Sequence, residues 1–110
     1  MAFDVILTSG FKKELKQIAK KHRHILSDVN ELIDKLSINP LLGDDLGRNV
    51  HKVRLAITGS SKGKSGGARV ITYIKIIANT VILAEIYLKS EYDTVDVNNV
   101  LKTLIDKKYI

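Results

Sequence analysis

Three short groups in this chain combine cations with tyrosines at even spacing: Lys52 and Arg54; Arg69, Tyr73 and Lys75; Tyr87 and Lys89. Residues two apart on a strand point to the same side. If each group lies on a strand, its members share a face, away from Val53 and Leu55, from Val70, Ile74 and Ile76, and from Ile82, Ala84, Ile86 and Leu88. Guanidinium and ammonium groups bind phosphate, and phenol rings stack on unpaired bases, so such a surface suits RNA. Glu85, two residues before Tyr87 and on the same side, is the one acid on this surface. A solvated sheet face would normally carry both signs of charge.

Other chemistries fit less well. The stretch Gly59-Ser-Ser-Lys-Gly63-Lys64-Ser65 brings to mind a phosphate-binding loop, but its glycines stand four apart rather than five and the next segment is β-prone. A loop of that kind needs a helix N-terminus behind it, so nucleotide hydrolysis is rejected and a basic loop is what remains. Of the histidines, His22 and His24 flank a helix junction, and His51 is expected on the face opposite Lys52 and Arg54. Surface positions explain the first two better than a metal pair does. No carboxylate pair is placed for acid–base work, and no histidine neighbours a candidate nucleophilic serine. Cysteine is absent, which removes disulfides and thiolate metal sites together. No cofactor and no metal is expected.

The elements that must position these groups read as β-α-α-β-β-β-α. Residues 3–8 are short and β-prone. Ser9 is the expected cap of a first helix on which Phe11, Leu15, Ile18 and Ala19 recur at helical spacing, with Lys12, Lys13, Lys16 and Lys20 outside. Ser27 is a possible cap for a second, carrying Val29, Leu32, Ile33 and Leu36 and ending before Asn39-Pro40, because the residue before proline avoids the α region. Leu41 to Asn49 reads as loop. Strands follow from about Val50, from Ala68 to about Ile76, and from Val81 to Lys89, with the glycine-rich segment 58–67 between the first two. Val97, Val100, Leu101, Leu104 and Ile105 mark a last helix capped by Asp96. Consecutive strands with short connections make an antiparallel meander, and a helical hairpin can cover its apolar face, an α+β arrangement.

With 110 residues there is room for one domain, taken as 1–110. Eighteen Lys and Arg against twelve Asp and Glu leave a net charge of +6, which favours an anionic partner such as nucleic acid. No apolar run approaches the roughly 20 residues that cross a bilayer. The start, Met1-Ala2-Phe3-Asp4, lacks a basic stretch leading into an apolar one, so a cytoplasmic domain is expected.

Lys52-Val-Arg54-Leu-Ala, Lys62-Gly-Lys64-Ser-Gly-Gly-Ala-Arg69-Val-Ile and Ile86-Tyr-Leu-Lys89-Ser-Glu91 together resemble the RelE/ParE toxin superfamily, most closely its HigB-like, RelE-type branch. The segment from Lys62 to Val70 is the specific part. The resemblance implies a RelE-like fold: an antiparallel sheet with a helical hairpin on one face and a C-terminal helix. It implies the toxin of a type II toxin–antitoxin pair, a metal-independent endoribonuclease that cuts mRNA on the ribosome and is neutralised in a complex with its antitoxin. Members lack a histidine pair, in keeping with this chain. Two departures stand out. Thr72-Tyr73 replaces the Tyr-Tyr of many relatives, and Ser90-Glu91-Tyr92-Asp93 is more acidic than expected of such an RNase.

Cleavage by attack of a ribose 2′-OH on the adjacent phosphate needs alignment, a base, charge stabilisation and an acid. Arg69 is the first choice for stabilising the phosphorane, because a planar fork suits phosphate oxygens, and Arg54 is second. Lys62 or Lys64 would bind the backbone or serve as base, and Lys89 would supply the cation of the last strand. Tyr92 would join proton transfer or stack on a base, while Lys52, Tyr73, Lys75 and Tyr87 complete the RNA surface. Arg69 is expected to be exposed, so that Arg69→Ala costs less than about 1 kcal/mol of stability. A ParE-like gyrase inhibitor and an inactive RNA-binding relative are the alternatives, and both would share the fold.

Overall fold

A computed structural model describes residues 2–59, 66–92 and 94–110. Chain order is β1 (Asp4–Leu7), α1 (Ser9–Ala19), α2 (Ile25–Ile38), β2 (Asp44–Asp45), β3 (Val50–Leu55), β4 (Ala68–Lys75), a 3-10 turn (Ile76–Ala78), β5 (Thr80–Leu88) and α3 (Val97–Asp106). One sheet holds the strands in the order β1-β5-β4-β3-β2. The meander β3-β4-β5 is antiparallel as expected. β1 joins it parallel to β5, so the sheet is mixed. A parallel neighbour is reached only by a crossover, which the α1–α2 hairpin and the meander provide.

Two of the three helix caps differ from the sequence expectation. Thr8, not Ser9, caps α1: its hydroxyl accepts from the Phe11 N–H at 3.0 Å and donates to the Ala84 carbonyl at 3.2 Å. A hydroxyl at this position satisfies an orphan amide of the first turn. Ser27 lies inside α2, where it donates to the His24 carbonyl instead of capping. α2 stops at Ile38 because Asn39, before Pro40, is extended (φ −127°). Asp96 caps α3 through the Asn99 N–H.

The segment expected to be loop contains the two-residue β2 and a tight hairpin turn into β3. Val50 N–H donates to the Gly47 carbonyl at 3.0 Å, with Arg48 (φ 55°) and Asn49 (φ 66°) between them, as a type I′ turn requires. Gly43 (φ 91°) lies against β3 so closely that an added Cβ would stand 2.5 Å from the Lys52 carbonyl oxygen. Only glycine meets both conditions. At the other end of β3, Asp28 of α2 accepts from the Thr58 N–H at 2.9 Å and from its hydroxyl, which pins the start of the glycine-rich connection to α2.

Two apolar layers flank the sheet. On one face Phe11, Leu15 and Ile18 of α1 and Ile25, Val29, Leu32 and Leu36 of α2 pack on Val53, Ala68, Val70, Val81, Leu83 and Ile86. On the other, Val100, Leu101 and Leu104 of α3 pack on Val50, Ile71, Ile82 and Tyr87. The second face is therefore not left open along its length, since α3 covers its middle. No helix of the described residues is long and apolar enough to cross a membrane.

A register shift corrects the predicted face assignment of β5. Ile71 is paired with Glu85 but Thr72 with Leu83, which leaves Ala84 as an extra residue. A bulge of this kind reverses the alternation beyond it. Ile82 and Ala84 consequently sit on the α3 face with Tyr87, not opposite it.

Candidate functional site

Arg54 of β3, Arg69 of β4 and Tyr87 of β5 are cross-strand partners in one row. Directly opposed residues have Cβ atoms about 4.5–5.5 Å apart and share a face. The two arginines, fifteen positions apart in sequence, are thus neighbours on the α3 face. Alternation through β3 and β4 is unbroken, which is why the sequence pairs them correctly. The adjacent row is Lys52, Ile71 and Glu85.

Exposure separates these side chains. Arg54 is exposed. Arg69 is 2% exposed and ranks with the largest buried side chains of the molecule. Its Nη1 donates to the Ala68 carbonyl at 3.2 Å. The expectation of an exposed Arg69 is corrected: its stem is buried in the sheet face, between Arg54 and Tyr87. Tyr87 is also buried, and one face of its ring is taken by Tyr92, stacked at a centroid distance of 4.3 Å and an interplanar angle of 18°. Tyr92 is 52% exposed and presents the open ring of the pair.

The remaining predicted residues divide by position. Lys52 is half-buried in the row next to Arg54. Lys89 is exposed just past β5, where its N–H donates to the Gly67 carbonyl at 3.0 Å. Tyr73 is half-buried in the cluster under α3, paired with Val50 and Ile82, about 13 Å along β4 from Arg69. Lys75 pairs with Thr80 at the far end of β4, about 20 Å from Arg69. The structure therefore gathers Lys52, Arg54, Arg69, Tyr87, Lys89 and Tyr92 at one end of the sheet and leaves Tyr73 and Lys75 towards the other. Lys62 and Lys64 lie outside the described residues. His51 is buried on the helical-hairpin face, with Nδ1 at 3.3 Å from the Leu42 carbonyl oxygen. Among the described residues no group of His, Asp or Glu side chains is arranged to hold a metal ion.

Two titrating groups border the site. Burial raises the carboxyl of Glu85 above its ordinary value. The Tyr92 phenol is raised as well, first by burial and then by Glu85, Glu14 and Glu91, whose negative charges oppose its ionisation. A phenol held protonated in this way can give a proton but is a poor base. The sequence reading noted Glu85 only as the lone acid of its face and did not single out Glu14. Glu85 shares the Tyr87 side of β5 by simple alternation, whereas Glu14 reaches Tyr92 through the packing of α1, which leaves no mark in local sequence.

Solved structures were found with this architecture. One chain of the toxin–antitoxin complex RelBE2 from Mycobacterium tuberculosis superposes with a TM-score of 0.61 at 22% identity, covering 80% of this chain and 99% of that one. A mutant of the E. coli toxin RelE in the free state superposes with a TM-score of 0.60 at 12% identity, covering 97% of this chain and 98% of that one. The fold is that of the RelE-type toxins. No protein-family model matches the chain, and no curated protein sequence does. Within the RelE-type fold, the Arg54–Arg69–Tyr87 row crosses the three strands of the meander.

Proposed function

We propose that the protein is the toxin of a type II toxin–antitoxin pair and cleaves mRNA on the ribosome. The observation that carries this reading is the pairing of Arg54 with Arg69 across β3 and β4, beside the Tyr87–Tyr92 stack, on a RelE-type fold. Two adjacent guanidinium groups make a pentavalent phosphorane a better-stabilised species than the starting diester, because the phosphorane carries more negative charge.

In the reaction, the ribose 2′-oxygen attacks phosphorus and the bond to the 5′-oxygen breaks, leaving a 2′,3′-cyclic phosphate and a 5′-hydroxyl. Arg54, which is exposed, contacts the phosphate directly. Arg69 acts from beneath it, adding positive potential in a region poor in water. Tyr92, protonated at neutral pH, donates the proton that the departing 5′-oxygen requires. Lys52 and Lys89 hold flanking phosphates, and Lys62 or Lys64 supplies backbone contacts or the base for the 2′-OH. The antitoxin inhibits by covering Arg54 and its neighbours. A structural neighbour drawn from a toxin–antitoxin complex supports such a partner.

The test is primer extension on a defined mRNA incubated with purified protein, with and without ribosomes. Cuts that need ribosomes are expected. Absence of cuts in both reactions would remove the proposal, and inhibition of gyrase supercoiling in its place would favour the ParE-like alternative.

A further inference from the structure

A cavity of about 340 Å³ lies between the start of α1 and α3, on the same side of the sheet as the Arg54–Arg69 row. Its volume is near the lower end of the range for small-molecule sites. Ala84, Val100 and Leu104 supply apolar surface, and Glu85, Thr103 and Lys107 stand among its polar groups. Tyr109 closes one side: its hydroxyl accepts from the Ser9 N–H at 2.9 Å, so the first amide of α1 is already engaged. Glu85 ties the cavity to the cleavage row. It precedes Tyr87 by two residues on β5 and shares its side, which puts the two about 7 Å apart along the strand. No hydrogen bond or ion pair meets its carboxyl among the described residues. A carboxylate accepts only, and one crowded by packing is stabilised by a donor.

Apolar surface, an acceptor and a cation together fit a nucleotide. A flat base covers the apolar side chains, its exocyclic amine donates to a carboxylate, and its phosphate pairs with an ammonium group. Among the bases, cytosine is the one whose N4 amine a glutamate reads. Its single ring also suits a cavity of this size. Uracil carries a carbonyl oxygen at the same place, which a carboxylate repels. We propose that this cavity binds a cytosine nucleotide, with the base amine on Glu85 and the phosphate on Lys107. The ligand is the cytidine beside the phosphate to be cut in mRNA, or a free cytidine nucleotide. The first source rests on the RNase reading, and the binding itself does not.

The test titrates cytidine 5′-monophosphate and uridine 5′-monophosphate into the purified protein and follows binding by NMR. The cytidine nucleotide should bind about tenfold tighter, as expected for one hydrogen bond to a charged group. Glu85→Gln offers a donor or an acceptor by turning its carboxamide over, so it should bring the two affinities within about twofold of each other. Lys107→Gln should weaken both alike and keep their ratio. Equal binding of the two by wild type, binding of neither, or a preference kept in Glu85→Gln would overturn the inference. Primer extension on mRNAs that differ only in C or U beside the cut then identifies the source. A preference for C in wild type that Glu85→Gln loses assigns the cavity to mRNA. Indifferent cleavage by wild type, with the preference for the cytidine nucleotide intact, assigns it to the free nucleotide. Should wild type cleave no mRNA, the RNase reading falls and the monophosphate result stands.

Discussion

Arg69 can be changed in two ways that separate its packing from its charge. At 2% exposure its stem is buried like that of an apolar residue. Arg69→Ala removes two buried methylenes beyond Cβ, worth about 0.8 kcal/mol each, or about 1.6 kcal/mol together. The void left by a long side chain adds to this at about 24 cal/mol per Å³ where the surroundings fail to collapse. A total loss of about 2–4 kcal/mol is expected. Arg69→Met keeps the length of the stem and removes the charge. It should stay within about 1.5 kcal/mol of wild type, as swaps that conserve volume do. Urea unfolding followed by circular dichroism measures both, and ribosome-dependent cleavage by folded protein measures the consequence for chemistry. Arg69→Met should be folded and deeply impaired. An alanine variant as stable as wild type would refute the packing argument, and a methionine variant cleaving at the wild-type rate would refute the role of the charge.

Gly43→Ala should cost about 2–4 kcal/mol, combining a positive φ with a Cβ placed against the Lys52 carbonyl and 2.9 Å from Val53 Cγ2; an unchanged unfolding midpoint would show that β2 can move aside freely. Thr72 is fully buried, and its hydroxyl has no partner among the described residues. Thr72→Val is therefore expected to stabilise by about 1 kcal/mol, and a loss of stability in thermal unfolding would contradict this. Glu85 is exposed at its surface, but the packing around its carboxyl raises it above the ordinary value near 4.5. A raised group contributes stability below its unfolded value that is lost as pH rises through the folded value, so wild type should weaken from about pH 4.5 towards neutrality. Glu85→Gln should flatten that slope, and parallel melting curves for the two proteins across this range would count against burial of the carboxyl.

Much of the fold was readable because the meander is written in period two. Lys52 and Arg54 alternate with Val53 and Leu55, and Arg69, Tyr73 and Lys75 with Val70 and Ile74, and no bulge interrupts β3 or β4. The opposed arginines follow from those patterns. Ala84, by contrast, closes the apolar run from Val81 to Ala84 with no turn signal, so nothing local announces the bulge that brings Ile82 to the α3 face. Burial of Arg69 was illegible for a different reason. Placing a guanidinium in the sheet is costly, so an arginine between Ala68 and Val70 reads as outward and exposed. The side of the sheet taken by α3 is a tertiary choice, and it decides that Tyr87 is covered while Tyr92 is open. Glu14 approaches Tyr92 only once α1 has folded back over β5.

The most direct trial of the account is the single-turnover rate of mRNA cleavage by Arg54→Ala at saturating ribosomes. Arg54 is exposed, so the variant should keep wild-type stability to within about 0.5 kcal/mol. Loss of one preorganised charge at the reacting phosphate should slow cleavage by about 10²–10³-fold. A folded Arg54→Ala protein that cuts as fast as wild type would mean that the paired arginines are not where the phosphate reacts.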